Sequence, residues 1–309
     1  MTILYADEPA DAEGWAKAIR ALDPGAEIRF WPDSEPAADI DFVIVGGRAP
    51  GDLRVFPNLK AIQSTWAGVN HLLTDANLPP STPLARMVDQ GLTVSMTEYI
   101  VFHALDTLRE GPRLRAAQQR ASWVNLDRRA PESMVVAVLG LGVLGQDAAA
   151  RLVGLGFRVR GWSRSRRAVA GVETFSGADG LRACVAGADI AVCLLPLTDD
   201  TRGILNAEIF SALNPGAVLI HVARGAHLVE ADLIDALDSG RIGRAVIDVF
   251  ATEPLPQDHP FWRDPRITVT PHVAAISRPG MGATDIVENR RRALAGAPLI
   301  NQVDRSRGY

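Results

Sequence analysis

Three side chains with complementary chemistry follow three separate apolar runs in the second half of the chain. Arg224 comes after "GAVLIHVA", Glu253 after "GRAVIDVF" and His272 after "RITVTP". If these runs are parallel strands, their carboxyl ends meet at one edge of a sheet, where ligands bind in open α/β folds. A guanidinium that binds and polarises a 2-keto acid, an imidazole that donates a proton and a carboxylate that keeps the imidazolium charged suit the reduction of a carbonyl group.

A glycine motif earlier in the chain indicates a dinucleotide site. Residues 140–145, "GLGVLG", have the GxGxxG spacing and lie between the apolar run "MVVAVL" and a helical pattern. Glycines at these positions permit a tight turn and let the backbone approach a pyrophosphate at the helix N-terminus. A tight strand–helix turn without a ligand would have the same pattern.

The acidic residue that usually follows the second strand of such a site is replaced by a hydroxyl and arginines. Ser163 lies 23 positions after Gly140, and the segment continues as "RSRR" from Arg164 to Arg167. A carboxylate would repel the 2′-phosphate of NADP(H), whereas guanidinium groups form charge-assisted contacts with it. The loop therefore predicts NADP(H), with a solvated basic loop as the alternative in a chain that contains only two lysines.

The elements that must position these residues alternate between short apolar runs and polar helical stretches, which is typical of parallel α/β folds. One series occupies the first third of the chain, and a second starts at Met134. A length of 309 residues suggests about two domains. The tail after Val273 is too short for its own core, so we expect it to pack on the first series. The predicted domains are residues 1–98 with 276–309, and residues 99–275.

Composition excludes several classes of function. The net charge of −4 and the lack of a long apolar run argue against nucleic-acid and membrane partners. Cys184 and Cys193 lie in apolar surroundings and are expected to be reduced thiols, which fits a cytoplasmic protein. No HExxH or CxxC motif gives metal-ligand spacing, so no metal is predicted.

The order of these motifs resembles that of the D-isomer-specific 2-hydroxyacid dehydrogenase family over nearly the whole chain. The motifs are the GxGxxG segment, "ARG", "DVFATEPLP" and "TPH", and the segments "WSRSRR", "PHVAAISRP" and "QVDRSRGY" are similar to the glyoxylate/hydroxypyruvate reductase A group within it. The resemblance implies an α/β protein with two doubly wound parallel-sheet domains. One is a flavodoxin-like substrate domain and the other an inserted Rossmann NADP-binding domain. It also implies a homodimer with the stretch from Glu98 to Trp123 in its interface.

The resemblance assigns roles residue by residue. It implies Arg224, Glu253 and His272 as the catalytic set, with NADP(H) as cofactor and NAD(H) as a weaker alternative. The loop of Trp66, Ala67 and Gly68 is expected to bind the substrate carboxylate together with Arg224 and His272. The residues expected to bind the cofactor are Gly140, Gly142, Val143, Leu144, Gly145, Ser163, Arg164, Arg167, Leu195, Pro196, Val222, Ala223 and Asp248.

His221 departs from the family pattern and is interpreted as a structural substitution, and the remaining histidines have no predicted role in the site. The family usually has Asn three residues before the catalytic Arg, whereas this chain has His221. The remaining histidines, at positions 71, 103, 227 and 259, are expected at helix or loop surfaces. The predicted activity is NADPH-dependent reduction of glyoxylate and hydroxypyruvate, with another small 2-keto acid as the alternative substrate. A different class, a dinucleotide-sensing protein similar to a corepressor, is the second alternative.

Overall fold

The structure is a computed structural model that describes residues 2–7, 11–127 and 129–308. The chain divides into two compact units, Met1–Leu92 with Ile276–Tyr309 and Thr93–Ala275. The first change of unit falls inside a helix that begins at Gln90, and the predicted boundary after residue 98 lies further along the same helix. Among the described helices, none is long and apolar enough to cross a membrane.

The N-terminal segment of the first unit builds a five-stranded parallel sheet. Its order is β2-β1-β3-β4-β5, the order of flavodoxin-like folds. The strand β3 is buried along its whole length because both of its faces are covered, which explains why all of its residues except Asp41 are apolar. The elements are β1 (Thr2–Tyr5), α1 (Ala12–Leu22), β2 (Glu27–Phe30), β3 (Ile40–Val45), β4 (Ala61–Ser64), α2 (Asn70–Leu73), β5 (Leu84–Ala85) and α3 (Gln90–Leu108).

The second unit contains a seven-stranded parallel sheet of order β12-β11-β10-β9-β6-β7-β8. Counted from β6, this is the Rossmann order 3-2-1-4-5-6 with one further strand. Its elements are α4 (Gly111–Gln119), β6 (Val135–Leu139), α5 (Val143–Gly154), β7 (Arg158–Ser163), β8 (Val172–Ser176), α6 (Gly177–Val185), β9 (Ile190–Cys193), α7 (Ala207–Ala212), β10 (Ala217–His221), α8 (Glu230–Asp238), β11 (Ile242–Ile247) and β12 (Ile267–Val269).

The C-terminal segment returns to the first unit through α9 (Pro279–Leu294), which packs on α1. Polar anchors fix it there. The guanidinium of Arg290 donates from Nε to Asp41 Oδ1 at 3.0 Å, and Asn289 Nδ2 donates to Gln63 Oε1 at 2.7 Å. The carboxylate of Asp41 is buried, so its charge is compensated by Arg290 rather than by water.

The predicted fold class is confirmed: both sheets are parallel, and helices cover them. The stretch from Glu98 to Trp123 is interrupted before Gly111, since α3 ends at Leu108 and α4 begins at Gly111. Three strands, β2, β5 and β8, are not marked by an apolar run in the sequence, because each is short or partly exposed.

Candidate active site

The predicted site residues of the second unit lie at the carboxyl-terminal edge of its sheet. The glycine motif follows β6, Ser163 ends β7, and Leu195 and Pro196 follow β9. The residues from Val222 to Arg224 follow β10 in the same way. Asp248 and Glu253 come after β11, and His272 comes after β12. Because all seven strands are parallel, one edge carries the whole set.

Glu253 and His272 form a hydrogen-bonded pair. Glu253 Oε2 accepts from His272 Nδ1 at 2.8 Å, and Glu253 Oε1 accepts from the backbone N–H of Phe250 at 2.8 Å. Burial alone would raise the pKa of Glu253, but these hydrogen bonds and the positive charges of His272 and Arg224 lower it below its ordinary value. The carboxylate is therefore ionised at neutral pH, so the proton of this hydrogen bond lies on Nδ1.

Arg224 is held by contacts between its side chain, its carbonyl group and neighbouring residues. The side chain donates from Nη1 to Ala223 O at 2.7 Å, and two imidazoles flank the Arg224 carbonyl, His221 Nε2 and His227 Nδ1, each 2.9 Å away. Burial lowers the pKa of Arg224, and the negative charge of Glu253 opposes this shift. The guanidinium and the Glu253 carboxylate are thus close enough to interact electrostatically.

A glycine lets the Arg224 loop approach the next one. A Cβ atom at Gly225 would overlap the backbone of Phe250 and Ala251, so only glycine fits between the loops that follow β10 and β11. This close approach brings the loop of Arg224 beside the loop of Glu253. In the "ARG" motif, Arg224 is therefore the residue with a predicted chemical role, and Gly225 allows the two loops to pack closely.

Asp248 has a buried carboxylate that is fully engaged within the second unit. Its Oδ1 accepts from Thr270 Oγ1 at 2.5 Å and from the backbone N–H of Val273 at 2.9 Å, and its Oδ2 accepts from the N–H of Ala274 at 3.0 Å. These donors flank His272 in sequence. A contact between Asp248 and a cofactor stays a prediction.

The glycine motif has the geometry of a dinucleotide turn. Gly140 has φ +109°, and a Cβ atom there would meet the backbone of Leu194 at 2.8 Å. Gly142 is the N-cap residue of the twelve-residue helix α5, and a Cβ atom on it would meet no atom of the described residues within 4 Å. The N-terminus of α5 therefore faces open space, as binding of a pyrophosphate requires.

The basic loop after β7 is held by the last residue of that strand. Ser163 is buried, and its Oγ donates to the carbonyl of Ser165 at 2.8 Å. Residues 164 to 168 are exposed, so Arg164 and Arg167 lie at the surface of this edge. The single hydroxyl proton of Ser163 is used inside the loop, and its oxygen keeps lone pairs that can accept further hydrogen bonds.

The loop after β4 belongs to the first unit. The backbone N–H of Trp66 donates to Ser64 Oγ at 3.0 Å, and the carbonyl of Trp66 accepts from the N–H of Met87 at 3.0 Å. The Trp66 and His71 rings lie 4.9 Å apart. Binding of the substrate carboxylate by Trp66, Ala67 and Gly68 stays a prediction.

Two of the remaining histidines are not at the surface, contrary to the sequence prediction. His227 is buried, and its Nε2 lies 3.2 Å from Pro196 O while its Nδ1 contacts the backbone of Arg224. His103 is buried on α3 beside the ring of Tyr99, with centroids 4.5 Å apart. The contact of His227 with Pro196 joins residues that are distant in sequence. The contact of His103 with Tyr99 lies within one helix, and the sequence alone did not show that this face is buried. Among the described residues, no group of three or more His, Cys, Asp or Glu could hold a metal ion.

The second unit of the chain matches a known protein family. A sequence profile described as D-isomer specific 2-hydroxyacid dehydrogenase, NAD binding domain, matches residues 101–274. The chain belongs to the D-isomer-specific 2-hydroxyacid dehydrogenase family. This dehydrogenase is thus an oxidoreductase, and the suspected family is confirmed.

Relatives of this dehydrogenase match it from end to end. It is 39% identical to a glyoxylate/hydroxypyruvate reductase A of Serratia proteamaculans over 100% of both chains. A 2-hydroxyacid dehydrogenase of Xanthobacter autotrophicus Py2, solved with NADPH and MES, is 38% identical with a TM-score of 0.95, over 100% of this chain and 99% of that one. An NADPH-dependent glyoxylate/hydroxypyruvate reductase of Sinorhizobium meliloti, solved with NADP and sulfate, is 38% identical with a TM-score of 0.92, over 100% of both.

Proposed function

We propose that the chain is an NADPH-dependent reductase of glyoxylate and hydroxypyruvate, which it converts to glycolate and D-glycerate. The observation that carries the proposal is the His272–Glu253 pair, joined at 2.8 Å on the same sheet edge as Arg224. The names of the relatives from Serratia and Sinorhizobium support these two substrates. Reduction of another small 2-keto acid is the alternative.

His272 would donate the proton from Nε2. A carboxylate accepts hydrogen bonds and donates none, so Glu253 keeps a proton on Nδ1 in both charge states of the ring. The proton that the imidazolium releases is therefore the one on Nε2. It passes to the carbonyl oxygen of the keto acid, which becomes the product hydroxyl, and the ring is left neutral with Nδ1–H facing Glu253.

Arg224 would bind the carboxylate of the keto acid and polarise its carbonyl group. A guanidinium forms charge-assisted, often bidentate bonds with a carboxylate. The bond to Ala223 O fixes part of the side chain before substrate arrives, so less conformational entropy is lost on binding. Glu253 offsets part of the positive charge when no substrate is bound.

The sheet edge fits NADP(H). The open N-terminus of α5 at Gly142 would hold the pyrophosphate, and Ser163, Arg164 and Arg167 would hold the 2′-phosphate. When bound, NADPH supplies the hydride for the reduction. NAD(H) would bind more weakly because this loop has no carboxylate for the ribose hydroxyls and its arginines would lack their phosphate.

The protein would act as a homodimer in the cytoplasm. The interface prediction rests on α3, α4 and the residues after them, where Phe102 is 61% and Trp123 is 96% exposed. Ile100 and Leu108 are instead buried in the core of the second unit, because they face the sheet rather than solvent. The apolar surface of this stretch is thus smaller than its sequence suggests.

A substrate panel tests the proposed activity. Purified protein would be assayed with glyoxylate, hydroxypyruvate, pyruvate and a larger 2-keto acid, each with NADPH and NADH in parallel. We expect the highest kcat/KM with the first two acids and NADPH. His272→Ala should lower turnover about 10²–10⁴-fold, as for a lost general acid, while NADPH binding is retained. Preference for a larger acid, or for NADH, would contradict the proposal.

A further inference from the structure

The backbone of His272 adopts an unusual conformation. Its φ is +56°, in the left-handed region that non-glycine residues rarely occupy. Such a conformation persists only where the surroundings impose it. The N–H of His272 donates to the carbonyls of Asp248 at 2.9 Å and Thr270 at 3.1 Å, so both flanking strands contribute to the turn.

The Asp248 carboxylate holds the residues that follow this turn. Its two oxygens accept from the N–H groups of Val273 and Ala274, directly after His272. Its own side chain is 1% exposed, so water does not compete for these bonds. The orientation of the carboxylate therefore determines the position of the backbone directly after His272.

The hydroxyl groups of Tyr99 and Thr270 form consecutive hydrogen bonds that orient the Asp248 carboxylate, and these bonds have one donor-to-acceptor direction. Thr270 Oγ1 lies 2.5 Å from Asp248 Oδ1 and 2.7 Å from the hydroxyl of Tyr99. The carboxylate can only accept, so the single proton of Thr270 goes to Asp248. The Thr270 oxygen must then accept from Tyr99, and the chain runs from Tyr99 through Thr270 to Asp248.

We propose that Tyr99 is a positioning residue for the proton donor: its hydroxyl, acting through Thr270 and Asp248, holds His272 in its left-handed turn. The role rests on the proposed function of His272. Burial raises the pKa of Tyr99 to about 12, so its hydroxyl remains a donor across the working pH range. Consecutive hydrogen bonds of this kind strengthen one another, so loss of the first weakens the others.

The test compares Tyr99→Phe, Thr270→Val and the double variant with the wild type. We expect Tyr99→Phe to lower the single-turnover rate of glyoxylate reduction about fivefold, the effect of one lost neutral hydrogen bond. Thr270→Val also removes the hydrogen bond to the Asp248 carboxylate, so we expect it to lower the rate about tenfold or more. The double variant should be no slower than Thr270→Val alone, because Tyr99 acts only through Thr270. Thr270→Ser keeps the hydroxyl and should restore most of the rate.

A matched control removes another hydroxyl from the same helix. Thr107 Oγ1 donates only to the carbonyl of His103 within α3 among the described contacts, at 2.8 Å, and Thr107→Val should leave the rate unchanged. Losses that add in the double variant, or an equal loss in Thr107→Val, would overturn the role of Tyr99.

A readout without substrate separates this role from the proposed function. Hydrogen exchange of the Val273 and Ala274 amides in the cofactor-free protein should accelerate in Tyr99→Phe and in Thr270→Val, and stay constant in Thr107→Val. If the wild type reduces none of the acids, the proposed function fails, while faster exchange would still support the positioning chain. Unchanged exchange in both variants would overturn it.

Discussion

A single carboxylate links the proposed proton donor to the proposed substrate-binding cation. Glu253 accepts from His272 and interacts electrostatically with Arg224, and its pKa is lowered as a result. A depressed carboxyl pKa means that Glu253 stays ionised down to a pH below its ordinary value of 4.5. The stabilising charge beside the imidazolium is therefore present over the whole range in which histidine titrates, and it is lost only in stronger acid.

Replacement of Glu253 by Gln tests this coupling. The amide keeps the shape but removes the charge that stabilises the imidazolium, so the decline of reduction with rising pH should move to lower pH. Activity should be retained in acid, where the imidazolium forms without help. The measurement is the pH profile of kcat/KM for glyoxylate in both proteins. A profile that does not move would show that Glu253 is not coupled to the proton donor.

The strands of the second sheet place the candidate functional groups at separate points along one edge. Each functional group comes from the end of a different strand, and β7 and β10 are three strand spacings apart, about 14 Å. The basic loop and the loops that carry Arg224, Glu253 and His272, here called the candidate catalytic loops, therefore belong to different parts of one edge. A change in the loop after β7 should alter cofactor binding without altering the proton transfer.

The arginines of that loop give a direct test of cofactor choice. Arg164→Ala and Arg167→Ala should each raise the dissociation constant for NADPH about tenfold or more, since a hydrogen bond to a charged group contributes roughly 1.5–3 kcal/mol. NADH binding should change little. Arg166→Ala, an exposed arginine of the same loop, serves as the control. Equal losses for both cofactors would contradict a 2′-phosphate site.

Elements with one strong signal were predictable from the sequence. The buried strand β6 is an uninterrupted apolar run, β3 and β10 are apolar except for Asp41 and His221, and the order of the motifs placed the candidate site residues at strand ends. The strand β8 was not predictable because its apolar and polar residues do not form one clear apolar face, and β5 has only two residues. The burial of His227 depends on carbonyls of Arg224 and Pro196, which only the folded chain brings to the ring.

At the scale of the whole molecule, buried neutral histidines make stability depend on pH. Burial lowers the pKa of His221 to about 3 and that of His103 to about 4, with nearby positive charges adding to the effect. Each Nδ1 has no hydrogen-bond partner among the described residues. The unfolded chain takes up protons below about pH 6.5 while these two rings do not. The stability they contribute is full above that pH and is lost as the pH falls towards 4.

The substitution His221→Asn should reduce this acid sensitivity. Between pH 7.5 and 5.5, one such histidine costs about 1 kcal/mol of unfolding free energy, and Asn does not titrate. Urea midpoints of the two proteins at both pH values measure the difference, with His259→Asn as the control at a site bonded to Glu230. An equal fall in both proteins would mean that His221 is not the source.

The proposed dimer is tested by its mass in solution. Light scattering at micromolar concentration should give twice the mass of the chain. Phe102→Ser should weaken association because it removes an apolar side chain that is 61% exposed, while Leu22→Ser, at a position 53% exposed in the first unit, should not. A monomeric mass for the wild type would contradict the proposal.

The spacing between the basic loop and the candidate catalytic loops has an evolutionary consequence. Coenzyme preference would depend on a few exposed positions after β7, whereas turnover would depend on residues after β10, β11 and β12. Descendants of this chain could thus exchange one coenzyme pool for another by drift in a surface loop, with the reaction itself inherited unchanged.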